Sequence, residues 1–184
     1  SLEEEIERVL RKVEKEIRKI KERLDEMLKE IRERIERSKR RTDKVNEDSR
    51  RRIEEIKRRV KDKKEVLERL DEVVRKSEEL ARRSKEILDR VLETVERLIR
   101  RVKEILDRVL DEVRKLAEEL KRVDSKEDVK KVKKDIDKLL KEVREEVKEA
   151  EDRIRRIAEE VDKEDKRMIE TSRRIIRKVD EDVR

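Results

Sequence analysis

Eight polar side chains stand where the rest of the chain places aliphatic ones, and these have the best opening for chemistry. They are Ser38, Thr42, Asn46 and Ser49 in the first third, Ser77 and Ser84 in the second, and Asp165 and Ser172 in the last. A buried hydroxyl or amide without a partner costs about 1–3 kcal/mol, and an unpaired carboxylate costs more. The set is tolerable only if its members satisfy one another or bound water. Asn46 and Asp165 are the expected hubs, because their side-chain oxygens accept what Ser and Thr hydroxyls donate. Arg37, Arg41 or Arg167 could neutralise Asp165 from the edge.

As catalytic or ligating material the set is poor. Acid–base work needs a carboxylate in a pocket, and Asp165 has no companion. One Asp with hydroxyls is a weak ligand set for any metal. The chain contains no His and no Cys, which leaves no thiolate, imidazole or disulfide. It also has no Gly-rich phosphate loop and no Glu-x-x-His pair. The expectation is therefore no enzyme, with no catalytic, cofactor-binding or metal residues and no small-molecule substrate. Three roles remain open for the polar set: a hydrogen-bond network that fixes register and partner choice, a weakened or hydrated segment, and a ligand site.

The aliphatic slots are defined by a repeat. Lys-Glu-Ile-Leu-Asp-Arg-Val-Leu occurs at 85–92 and again at 103–110. The 18-residue offset is five α-helical turns at about 3.6 residues each, so residue i+18 stands directly above residue i. On this ruler Ser38 takes the slot of Leu2, Ile20 and Ile56, and Thr42 that of Ile6, Leu24 and Val60. Asn46 replaces Leu10 and Leu28, and Ser49 replaces Val13 and Ile31. Ser77 replaces Val95 and Val113, and Ser84 replaces Val66, Val102 and Leu120. Asp165 replaces Val129, Val147 and Val183, and Ser172 replaces Ile136 and Ile154.

The phase of the apolar stripe locates the elements that carry these slots. Over residues 2–60 the apolar side chains fill an arc of roughly 100°. The arc shifts by about 110° from Val66 and by about 150° again from Val129, so one continuous helix is excluded. Asp62 and Glu65 read as a capping box at the first break, and Ser125 with Glu127 and Asp128 as a weaker one at the second. Ser1 opens the first helix in the same manner. Helices are expected over 2–60, 63–122 and 126–184, each about 85–90 Å long at 1.5 Å per residue. The two connections are very short and force up-down-up neighbours. The expected fold is an all-α, elongated, nearly straight, antiparallel three-helix bundle forming one domain over 1–184. An 18-residue period predicts little superhelical twist.

Composition agrees. Charged residues make up 62% and apolar ones 32%, with no Gly, Pro or aromatic residue, which excludes strands and Gly-dependent turns. Strict apolar periodicity argues against disorder despite the charge. The start Ser1-Leu2-Glu3-Glu4-Glu5 lacks a signal-peptide layout. No apolar run approaches the roughly 20 residues that span a bilayer. A soluble protein is expected, cytoplasmic if expressed recombinantly. The net charge of +7 is small against 61 basic and 54 acidic residues. Basic runs such as Arg50-Arg51-Arg52 are interrupted by acids, and no aromatic can stack on a base. No nucleic-acid or membrane partner is expected.

The Glu/Lys/Arg surface, the Val/Ile/Leu core, the capped minimal loops and the literal repeat resemble a de novo designed, parametrically generated helical bundle. That resemblance covers the whole chain and is one of style. It implies a scaffold or assembly component.

With residue i of the first helix near 122−i of the second and i+124 of the third, all eight polar exceptions fall in one transverse slab. A second irregularity concerns the middle helix. It holds 24 residues of the types Ala, Val, Ile, Leu and Met over 63–123, against 16 over 1–61 and 18 over 124–184. Its apolar arc is about 160° wide, more than a closed three-helix core requires. The excess forms two shoulders, Leu67, Val74, Leu92 and Leu110 on one side and Ile87, Ile105 and Val123 on the other. They are the candidate interface for a homo-oligomer. Asymmetric packing, a partnerless rod and a helix supplied in trans are the alternatives.

Overall fold

The computed structural model describes residues 2–122 and 125–183. Three long helices, α1 (Leu2–Arg59), α2 (Lys64–Lys121) and α3 (Lys126–Val183), pack against one another, and the described residues contain no strand. The protein is an all-α three-helix bundle. Among the described residues no helix is long and apolar enough to cross a membrane.

The chain turns without glycine, and no described residue has positive φ. Between α1 and α2 the Lys63 amide donates to the Val60 carbonyl at 3.0 Å, which encloses Lys61 and Asp62 in a tight turn. The Lys63 carbonyl then accepts from the Leu67 amide at 3.1 Å, the first bond of α2. Lys63, not Asp62, is thus the N-cap residue. The expected Asp62–Glu65 capping box is not the start of α2: the turn takes up Asp62, and an N-cap at Lys63 puts Val66, which cannot complete a box, at N3. Before α3 the Ser125 carbonyl accepts from Val129 at 3.3 Å, so Ser125 does sit at the N-cap. The expected cap at Ser1 lies outside the described residues.

Two compact units each take a segment from all three helices. The first is Ser1–Glu30 with Thr94–Arg155, and the second is Ile31–Glu93 with Arg156–Arg184. The core of the first unit is aliphatic throughout, with Leu24, Val95, Leu106, Val113 and Ile154 among its most buried side chains. At one end Ile6, Ala117, Leu120 and Val129 form a cluster backed by Leu2, Leu10 and Val132. The second unit has a comparable cluster of Ile53, Ile56, Val60, Leu70 and Val179. It also buries Ser38, Thr42, Ser49, Ser77, Ser84 and Ser172.

Ion pairs report the register within each unit. In the first, Glu7 pairs with Lys121, Glu14 with Arg114, Lys21 with Asp107 and Asp25 with Lys103. In the second, Lys39 pairs with Asp89, Asp43 with Lys85, Arg50 with Glu78 and Lys57 with Asp71. The two residue numbers add to 128 in every one of these pairs, so α1 and α2 are antiparallel. The sum exceeds the expected 122 for a steric reason. Each side chain leans toward the N-terminus of its own helix, so in an antiparallel pair the tips meet only when both residues lie further along their chains. Between α1 and α3 the pairs Glu5–Lys133, Glu16–Arg144, Arg23–Glu151 and Arg52–Asp180 have a constant separation of 128, as parallel helices require. That is one helical turn beyond the expected 124.

Candidate functional site

All eight polar exceptions belong to the second unit, and three helices contribute to the layer. Six of them are buried, while Asn46 and Asp165 are half-buried. Two contacts from α1 meet at Asp165 of α3. Ser38 Oγ donates to Asp165 Oδ1 at 2.8 Å, and Arg41 Nε meets Asp165 Oδ2 at 2.8 Å. The Asp165 side chain is 12% exposed, so it gives up most of its hydration, and two donors replace it. Of the three arginines considered as partners, Arg41 takes the role. Arg167 is held by Glu164 at 2.6 and 3.0 Å, and that bond pushes its pKa above the ordinary arginine range. Among the described residues no buried side-chain nitrogen or oxygen lacks a hydrogen-bond partner.

The register explains why Arg41 reaches Asp165, and it reveals a residue that composition alone conceals. On α1 the pairing positions toward α3 are 5, 16, 23, 34 and 52, each matched 128 residues on. Arg41 belongs to this series, and its match is Ile169 rather than an acid. By the 18-residue ruler, Ile169 occupies the slot of Lys133 and Glu151, both of which pair with α1. The acid has moved one turn back, into the core slot of Asp165, and an aliphatic residue has moved out. Arg41 follows the acid. Ile169 is half-buried. An isoleucine in a flank slot was the available signal in the sequence.

The shoulders of α2 face different surroundings. Leu67 shares its slot with Lys85, Lys103 and Lys121, and these lysines pair with Asp43, Asp25 and Glu7 of α1. That shoulder therefore lies on the α1 side, under charged side chains whose aliphatic stems cover it. Leu67 and Val74 pack against the Ile53–Ile56–Leu70 cluster, and Leu92 and Leu110 are half-buried. The other shoulder faces α3. Ile87 and Ile105 share their slot with Arg69, which lines a groove of about 220 Å³ with Val66, Val73 and Lys76 of α2 and Val179 of α3. Ile105 is half-buried and Ile87 is 38% exposed. Val123 lies outside the described residues. Every ion pair observed among the described residues between two helices of one unit has α1 as a partner. Among the described residues, then, no observed ion pair within a unit joins α2 to α3, and at the groove between them Val66 and Val73 face Val179 and Val183 with Arg69, Glu72, Lys76 and Asp182 around them.

Surface electrostatics follow the same lattice. Glu5 and Glu16 are held below the usual carboxylate range by their bonds to Lys133 and Arg144. Lys57 and Arg52 are pushed above their ordinary values by bonds to Asp71 and Asp180. Among the described residues no group of three or more His, Cys, Asp or Glu side chains could hold a metal ion. No protein-family model, no curated protein and no solved structure matches this chain.

Proposed function

We propose that this protein is a structural module of the designed-bundle type that assembles with a second copy of itself through the α2 edge beside α3. The observation that carries the reading is Ile87, a large aliphatic side chain left 38% exposed on the α2 edge beside α3, where among the described residues no ion pair to α3 within the unit is observed. Leu80 in the second unit, and Leu98, Ile105 and Leu116 in the first, stand half-buried on the same side of the helical wheel. Exposed apolar surface of this kind is a usual mark of an interaction face.

Charge along α2 selects a second copy as the occupant. The exposed residues flanking the isoleucines include Glu65, Arg69, Glu72, Lys76 and Arg83 on the N-terminal side, net basic by one charge, and Arg108, Glu112 and Glu119 on the C-terminal side, net acidic by one, with Arg101 between. An antiparallel copy of the same helix sets the net-basic stretch against the net-acidic one, which is the self-complementarity that a two-fold interface needs. The buried layer around Asp165 adds specificity by penalising pairings that separate it from Ser38 and Arg41.

Sedimentation equilibrium at high micromolar concentration tests the reading. The expected result is a dimer mass that reverts to monomer in Ile87→Glu combined with Ile105→Glu, with helicity unchanged. A monomer at that concentration for the unsubstituted chain would refute it.

A further inference from the structure

In the second unit α1 and α3 flank an open groove of about 570 Å³. Ser49 and Ser172 line it, 7% and 5% exposed respectively. Each occupies a slot that elsewhere holds a larger aliphatic residue. The first unit's counterparts Val13, Ile136 and Ile154 are all buried. The first unit has a groove at the equivalent place, lined by Met27, Glu30 and Arg155, so what the two serines change is the lining, into which they bring two hydroxyls. Val45 and Ile176 supply apolar lining beside them.

The rim is cationic. Arg173 and Arg177 stand one turn apart on α3, and among the described residues neither has an ion-pair partner. Like charges at this spacing repel. Arg52 also lines the groove, but Asp180 holds it at 2.8 and 3.0 Å and Glu55 at 3.1 Å, so its charge is already answered. Asp48 contributes one opposing carboxylate. Two unanswered guanidiniums against one acid leave the groove net positive. The first unit's α1–α3 groove has the reverse balance, because Glu22, Asp25, Glu26, Glu30 and Glu151 outnumber Lys19, Arg23 and Arg155 there.

We propose that the second unit's groove binds an organic oxyanion with a short alkyl tail. Arg173 and Arg177 hold the anionic head through charge-assisted hydrogen bonds. The tail lies along Val45 and Ile176, and the serine hydroxyls complete the polar end. The volume suits a small ligand, since such sites commonly measure about 300–1,000 Å³. This site uses neither Ile87 nor Ile105, so its fate is independent of self-assembly.

Hexyl phosphate is the probe, titrated at constant ionic strength into the intact, methyl-labelled protein and followed by NMR. Saturable shifts at the Val45 and Ile176 methyls are expected. Arg173→Gln with Arg177→Gln should weaken binding by roughly tenfold or more, the cost of a lost charge-assisted hydrogen bond. Ser172→Ile removes one hydroxyl from the lining and should weaken binding, and that variant restores the lattice residue, so circular dichroism should show a helical, fully folded chain. Three results would each overturn the site. Hexyl phosphate could shift Val9 or Met27 as strongly as Val45. Inorganic phosphate could bind as tightly as the alkyl ester, or the glutamine pair could leave affinity unchanged.

Discussion

Leu106 in the first unit and Leu88 in the second hold the same slot of the 18-residue lattice, and both are 0% exposed. What stands one turn before them differs. Leu106 follows buried Val102, whereas Leu88 follows buried Ser84. The same contrast holds across the two units. The first buries aliphatic side chains only, and the second gives up six core slots to hydroxyls and sets a carboxylate beside them. Both keep one α1–α2 register, so polar residues were inserted without moving the helices' pairing. The lesson is that a lattice fixes where side chains go, and their chemistry then decides how firmly and how selectively they hold.

Truncating the two leucines tests this comparison with the largest effect. Leu106→Ala should cost about 3–5 kcal/mol, the range for a buried leucine whose cavity stays dry. Leu88→Ala should cost less, nearer 2 kcal/mol, because a cavity beside Ser84 has a polar wall and can admit water. Urea midpoints measured for both variants check the order. Equal losses would mean that the hydroxyls do not soften the second unit.

A double-mutant cycle on the acid comes next. Asp165→Val alone strands the buried Ser38 hydroxyl and releases Arg41, and should destabilise by about 1–3 kcal/mol. Adding Ser38→Ile removes the stranded group and restores both lattice residues. The double variant should then be at least as stable as the original chain, giving a strongly non-additive cycle. Additive losses would show that Ser38 and Asp165 do not act as a unit.

The smallest effect lies at the surface and has opposite signs of pH dependence in the two units. Glu16 of the first unit has a lowered pKa, so its pairing with Arg144 contributes fully above the ordinary value of 4.5 and is lost as pH falls through the depressed value. Lys57 of the second unit has a raised pKa. Its pairing with Asp71 contributes fully below 10.5 and is lost as pH rises through the elevated value. Both pairs are solvent-exposed and individually weak. Glu16→Gln should therefore flatten the stability profile slightly below pH 4.5, and Lys57→Met should flatten it above pH 10.5, as read by thermal melts. A reversed assignment would contradict the pairings.

Much of this architecture is legible in the sequence because helical periodicity is a local property. A side chain's angular position depends only on its number and the helix repeat, so the three helices, their two breaks and the eight polar exceptions follow from one ruler. Capping is less legible. Asp62 has the right chemistry for an N-cap, but the Val60–Lys63 turn draws it one residue short. The Ile169–Asp165 exchange was written in the sequence too, since isoleucine stands in a slot that Lys133 and Glu151 fill with charge. Its meaning emerges only once Arg41 is known to share that pairing row.

The sequence by itself determined which residues face inward, which slots break the aliphatic rule and that α2 is richer in apolar surface than its neighbours. Tertiary structure decided the rest. It chose Arg41 over Arg37 and Arg167 as the partner of Asp165, and it set the α1–α2 register sum at 128. It also divided the α2 shoulders into a side covered by lysines that pair with α1 and a side beside α3 where Ile87 stands exposed. Those outcomes depend on how far one helix is offset along another and on how its side chains lean. Neither quantity belongs to a single helix, so neither can be read from one helix's periodicity.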